Sequence, residues 1–251
     1  MMSARTIDTQ AVVRSAFVDA AVGARAMPLV LLDTVLLAAL FGVARRVFLD
    51  DASGLSPLVI GSIEVLLNVL VLAPLSIALY RFVLLGEIAP RLGEVLRSRP
   101  TGAFVRASLV VSGLTLVGYF GGAALGAMLG PPASTMIVLA AFALTILLSV
   151  RLTLLFPAIA VEAPGARWPF AIIDSAGHGF QIFLVLALCS IPFLFVGLPL
   201  DGLLREIAPL RPAGLILALL GAALEVAWTV VLVIAAARLY QALGRRLKQQ
   251  T

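Results

Sequence analysis

Six long apolar stretches separated by short polar links dominate the pattern along this chain, over 28–48, 57–80, 107–129, 134–160, 179–200 and 213–237. Each approaches the roughly 20 residues that a helix needs to cross the hydrocarbon of a bilayer. The pattern therefore predicts an all-α, polytopic membrane protein with six transmembrane helices. Shorter one-sided segments lie between them. Over 11–25, Val12, Val13, Phe17 and Val22 share an apolar side against Arg14, Asp19 and Arg25, as expected of a helix lying in the headgroup plane. In the 81–106 link, Ile88, Leu92, Val95 and Leu96 recur at helical spacing opposite Glu87, Arg91, Glu94 and Arg97, and Pro100 ends that helix. The expected division is a cytoplasmic amphipathic segment at 1–27, a transmembrane domain at 28–240 and a basic cytoplasmic tail at 241–251.

Two echoes suggest an internal repeat. The even-numbered stretches each meet an arginine, in Leu79-Tyr80-Arg81-Phe82, Val150-Arg151-Leu152 and Ala237-Arg238-Leu239-Tyr240. The odd-numbered ones are preceded by Val12-Val13-Arg14-Ser15, Val95-Leu96-Arg97-Ser98 and Ile172-Ile173-Asp174-Ser175, with Gly102 and Gly179 four residues after the second and third serines. The implied unit is a short interfacial helix followed by a two-span hairpin, three times over. Any three-hairpin protein with inward-facing positive charge produces similar echoes, so both readings stand at this level.

Composition leaves little room for another class. Hydrophobic residues make up 62% of the chain and charged residues 12%, against about 25% charged in soluble domains. A net charge of +5 does not point to nucleic acid, because the basic residues sit at the ends of apolar runs, where anionic lipid headgroups are. With the N-terminus inside, 14 of the 18 basic residues fall on the inner side, and Arg45, Arg46, Arg205 and Arg211 are the outer exceptions. Retention of positive charge then places both termini in the cytoplasm, with Arg45 and Arg46 opposing the rule locally. The first apolar run is too long for an ordinary secretory signal and is expected to be a permanent span. The preponderance of Arg over Lys reads as the coding bias of a GC-rich bacterial genome.

The clearest motif is Gly118, Gly122, Gly126 and Gly130, a glycine zipper at four-residue spacing that lets another helix approach closely. Its partner lies within the chain or in another protomer. Gly214, Ala218 and Ala222 form a weaker small-residue row and a candidate opposing surface. Pro74, Pro157 and Pro192 fall inside apolar stretches and are expected to kink them.

Ionisable groups in hydrocarbon mark either functional sites or structural bonds. Asp33, Glu64, Arg151 and Glu225 are the candidates, with Asn68 sharing a helix face with Glu64. As a structural network, Arg151 pairs with Glu225 or Asp33 while Glu64 sits near the outer headgroups; as a functional one, the carboxylates form an ion pathway with Arg151 as counter-charge. Lone His178 lacks a second ligand or a nucleophile partner, and lone Cys189 forms no intrachain disulfide. Trp168 suits an interfacial anchor. No catalytic, metal-binding or nucleotide-binding motif is present, so no cofactor is expected.

One segment carries a family resemblance. Val150-Arg151-Leu152-Thr153-Leu154-Leu155-Phe156-Pro157-Ala158-Ile159-Ala160-Val161-Glu162, followed by Ala171-Ile172-Ile173-Asp174-Ser175 and Gly179-Phe180, resembles YciC-type bacterial inner-membrane proteins and the membrane domain associated with glycerophosphodiester phosphodiesterases. The residues that carry it are Arg151, Pro157, Glu162, Ser175 and Gly179. Ala176 stands where that family usually has tryptophan. The resemblance implies an α-helical membrane fold without an established activity; the soluble phosphodiesterase barrel is not part of the match. The resulting expectation is a non-enzymatic inner-membrane protein acting as an accessory subunit, scaffold or lipid-associated protein. Its partners would be lipids, anionic ones included, another membrane protein or a second copy of itself. The alternative is a small transporter or channel using the intramembrane carboxylates.

Overall fold

The computed structural model describes residues 8–48, 56–130, 133–207 and 211–248, apart from the side chains of Leu129, Ala133, Ser134 and Arg205. Arg5 therefore lies outside the described residues. The described chain is all-α: α1 (Thr9–Ala26), α2 (Pro28–Phe48), α3 (Pro57–Leu85), α4 (Leu92–Leu96), α5 (Arg99–Leu129), α6 (Ala133–Leu152), α7 (Leu155–Ala160), α8 (Trp168–Asp174), α9 (Gly179–Glu206), α10 (Pro212–Leu243) and α11 (Arg245–Lys248). Six segments are long and apolar enough to cross a membrane: α2, α3, α5, α6 continued through α7, α9 and α10. They make this a multi-pass membrane protein.

Several helices outrun their apolar stretches. α3 continues through Arg81 to Leu85, and α10 through Arg238 to Leu243, because charged residues end the lipid-compatible run without ending the backbone hydrogen-bond ladder. At about 1.5 Å per residue, the 32 residues of α10 reach about 48 Å, beyond the ~30 Å hydrocarbon layer. Pro100 does not end α4; it opens α5 from the first turn, where the missing N–H has no helical partner to lose. The fourth span divides into α6 and α7 at Thr153–Leu154, one turn before Pro157, whose missing N–H cannot bond the Thr153 carbonyl, whereas Pro74 and Pro192 sit inside the continuous α3 and α9.

The element order repeats: a short helix (α1, α4, α8) precedes each hairpin (α2–α3, α5–α6/α7, α9–α10). The three echoed serines share one bond. Ser15, Ser98 and Ser175 each donate Oγ–H to the carbonyl three residues back, at Val12 (2.9 Å), Val95 (2.7 Å) and Ile172 (3.0 Å).

The core lies at the end of the bundle holding the short helices, here called the basal end. It joins Val71 and Ala73–Tyr80 of α3, Phe104, Leu152–Ala160, Ile182, Val185 and Cys189 of α9, and the α10 run from Val226 to Leu243. Tyr80, Phe104 and Phe156 form an aromatic chain through it, with centroids 6.2 and 5.3 Å apart. α1 buries the small residues Ala16, Ala20 and Gly23 against the bundle and leaves Phe17 and Val22 largely outward. The apolar side that the sequence suggests is therefore split: Val12 and Val13 pack against the core and Phe17 stacks on Phe193 of α9 with centroids 6.4 Å apart, whereas Val22 stays exposed.

The glycine row packs within the chain, and its partner is α6, not the Gly214–Ala218–Ala222 row of α10. A Cβ on Gly118 would lie 3.3 Å from Thr145 Oγ1, and one on Gly122 would lie 3.0 Å from Ala141 Cβ. Gly126 is also buried, and Gly130 terminates α5 at φ +72°, a conformation suited to glycine.

Basal arginines organise this end. Arg81 pairs with Glu87 (2.6 Å) and Glu162 (3.6 Å) and donates to the Ala160 carbonyl. Arg238 reaches Asp19 on α1 at 2.6 Å and Gln241 at 2.8 Å. Asp174, replacing the arginine of the first two echoes, accepts the backbone N–H groups of Arg246 (2.9 Å) and Leu247 (3.1 Å) and so holds α11. Burial lowers the Lys248 ammonium pKa below the usual lysine value, against the opposing pull of Asp174.

Candidate functional site

Away from the basal core the helices part. α2, α3, α9 and α10 line a cleft of about 960 Å³ at the distal end, where α2 and α9 finish and α3 and α10 begin. Its walls extend along α9 from Phe193 to Leu204, about 16 Å, and along α10 from Ala218 to Trp228, about 15 Å. That depth is close to half of a ~30 Å hydrocarbon layer. Among its lining residues, Gly197 and Gly221 sit where α9 and α10 approach closely, a Cβ there meeting Leu224 at 3.5 Å and Leu204 at 3.4 Å, whereas Gly42 faces open space. At Gly42 an added Cβ would meet nothing within 4 Å.

Charge is concentrated toward the mouth. Arg45 of α2 lies 3.4 Å from Glu64 of α3, with the two side chains 44% and 38% exposed. Arg46 turns toward the end of α9, donating through Nη2 to the carbonyls of Leu204 and Ile207, the latter at 2.8 Å. These are carbonyls at a helix end, acceptors that a cation suits. Its Nη1 is buried without a hydrogen-bond partner among the described residues. These contacts explain how two arginines sit against the charge asymmetry of the chain: one faces a carboxylate and the other a helix terminus. Deeper in the cleft lie Asn68, Glu225 and Trp228, whose Nε1 donates to Ser190 Oγ at 3.1 Å and ties α10 to α9.

The intramembrane network suggested by the sequence is thus divided. Glu64, Asn68 and Glu225 line one cleft, joined by Arg45 and Arg46, which the sequence marked only as exceptions to the charge asymmetry, and by Asp201, which it did not single out. Asp33 is not among the cleft residues. Arg151 pairs with neither Glu225 nor Asp33; its guanidinium lies against Gly179 at the start of α9, where a Cβ would be 3.8 Å from Nε. The cause is depth: Arg151 is at the basal end of α6, whereas Glu225 belongs to the distal cleft.

Around Gly179, the family-like segment forms a compact basal corner. Pro157 and Ser175 are buried, and Glu162 adopts φ +52° while facing Arg81. His178 Nδ1 is 2.9 Å from Gln181 Oε1. Among the described residues no group of three or more His, Cys, Asp and Glu could hold a metal ion. A second, smaller cleft of about 370 Å³ at this end is lined by Arg81, Glu87 and Glu162, whose charges already engage one another. The distal cleft has the larger volume and holds Asn68 and Glu225 beyond its paired charges, making it the better candidate for a ligand. Comparisons with protein-family models, curated proteins and solved structures find no match to this chain.

Proposed function

We propose that this chain is a non-enzymatic, lipid-associated protein of the bacterial inner membrane, of the YciC type, holding a membrane amphiphile in its distal cleft. The supporting observation is the form of that cleft: about one leaflet deep, largely apolar along its walls and charged toward its mouth. An acyl chain fits the apolar walls, and a headgroup fits the charged mouth. On this reading the basal end, with its arginines, α1 and α11, faces the cytoplasm, so the cleft opens in the outer leaflet. The glycine zipper on α5 serves to fasten α5 to α6, leaving the other four spans to build the site.

The test is purification in mild detergent followed by native mass spectrometry. The chain is expected to retain bound phospholipid, and Gly42→Phe, which projects a ring into open cleft, is expected to lose most of it while remaining folded. A lipid-free wild-type monomer, or equal retention by Gly42→Phe, contradicts the proposal. Glu225 favours the second reading, a transporter using a carboxylate deep in the cleft. That reading requires flux in reconstituted vesicles to fall with Glu225→Gln.

A further inference from the structure

The charges of the cleft mouth restrict what kind of headgroup it accepts. A site for a simple anion would surround it with cations, yet Glu64, Asp201 and Glu225 line the same cleft as Arg45 and Arg46. A site for a simple cation has no use for two arginines. An occupant that itself carries both signs matches a mouth of this kind. We propose that the mouth recognises a zwitterionic phospholipid with a primary ammonium, its phosphate on Arg45 and Arg46 and its ammonium on Glu64. The inference rests on the reading that the cleft holds a lipid.

Two features favour that arrangement. The Arg45–Glu64 pair is separated by 3.4 Å with both side chains substantially exposed, and ion pairs this open contribute little, so exchanging each partner for a ligand group is cheap. Arg46 lines the same cleft, and its Nη2 bond to the Ile207 carbonyl at the end of α9 fixes its guanidinium beside Arg45. Two adjacent guanidinium groups held in this way offer a phosphate charge-assisted bonds without first having to be ordered. A primary ammonium brings N–H donors to the Glu64 carboxylate. A quaternary ammonium lacks them.

The test equilibrates the full-length protein in mixed bilayers of equal phosphatidylethanolamine, phosphatidylglycerol and phosphatidylcholine, then identifies the lipid retained in detergent. Phosphatidylethanolamine is expected to be enriched about fivefold over each of the others, a modest difference of the size a single charge-assisted contact supplies. Glu64→Gln should abolish that preference while lipid is still retained, and Arg45→Gln should lower retention of all three. Equal retention, preference for phosphatidylglycerol, or an ethanolamine preference surviving Glu64→Gln overturns the inference while leaving lipid binding intact. Complete absence of lipid instead overturns the reading on which it rests. Soluble glycerophosphoethanolamine at millimolar concentration should leave the bound lipid in place; displacement by it would overturn the lipid as the source of the headgroup.

Discussion

Gly165→Ala is expected to release the C-terminal helix α11 from the basal face. The added Cβ would overlap the Arg246 carbonyl and come within 2.9 Å of the Leu247 carbonyl oxygen. Both are backbone atoms and cannot rotate out of the way. Moving them breaks the two bonds to Asp174 and exposes Leu247, which is fully buried. Overpacking at a rigid contact costs about 2 kcal/mol, which raises the open population roughly 30-fold. Tryptic cleavage at Arg245 and Arg246 should accelerate accordingly, as read by mass spectrometry of the shortened chain. Cleavage at the wild-type rate would show that this close approach does not hold α11.

Gly122→Leu is expected to destabilise the α5–α6 hairpin strongly, whereas Gly121→Leu, one position away, should leave it nearly unchanged. At Gly122 the first added carbon already lies 3.0 Å from Ala141 Cβ, with the Ile137 carbonyl oxygen 3.7 Å away; at Gly121 it meets nothing within 4 Å. The remaining leucine atoms must push α6 aside, at a cost of about 2–3 kcal/mol. Thermal unfolding in detergent compares the two variants directly. Equal losses would remove α6 as the partner of the glycine row.

These contacts show where sequence reasoning succeeds and where it stops. The six spans were legible because lipid forces long uninterrupted apolar runs. The serine echo was legible too, and its meaning emerged as a shared side-chain bond to the carbonyl three residues back. Partner choice was harder. Ile137, Ala141 and Thr145 repeat at the same four-residue spacing as the glycines they meet, but only two of them are small, so composition drew attention to α10 instead.

The charged groups illustrate a different limit. Arg151 and Glu225 complement one another chemically, yet pairing also requires equal depth, and they sit toward opposite halves of the bundle. Arg45 and Arg46 were visible as exceptions to the charge asymmetry. That exception was the available clue to the distal site: cations retained on the minority side need nearby acceptors, which Glu64 and the end of α9 provide. The cleft itself could not be read from periodicity, because it arises where four helices diverge above a core formed by residues distant in sequence.

Trp228 offers the most direct test of a lipid in that cleft. It lines the deep wall, and Trp168 at the start of α8 is the only other tryptophan in the chain. Trp168→Phe therefore leaves Trp228 as the sole indole reporter. This variant is loaded in bilayers of phosphatidylethanolamine brominated on its acyl chains, then transferred to detergent so that only retained lipid can quench. The account predicts that Trp228 stays quenched after transfer and regains its fluorescence when Gly42→Phe is added; full recovery without that block would contradict it.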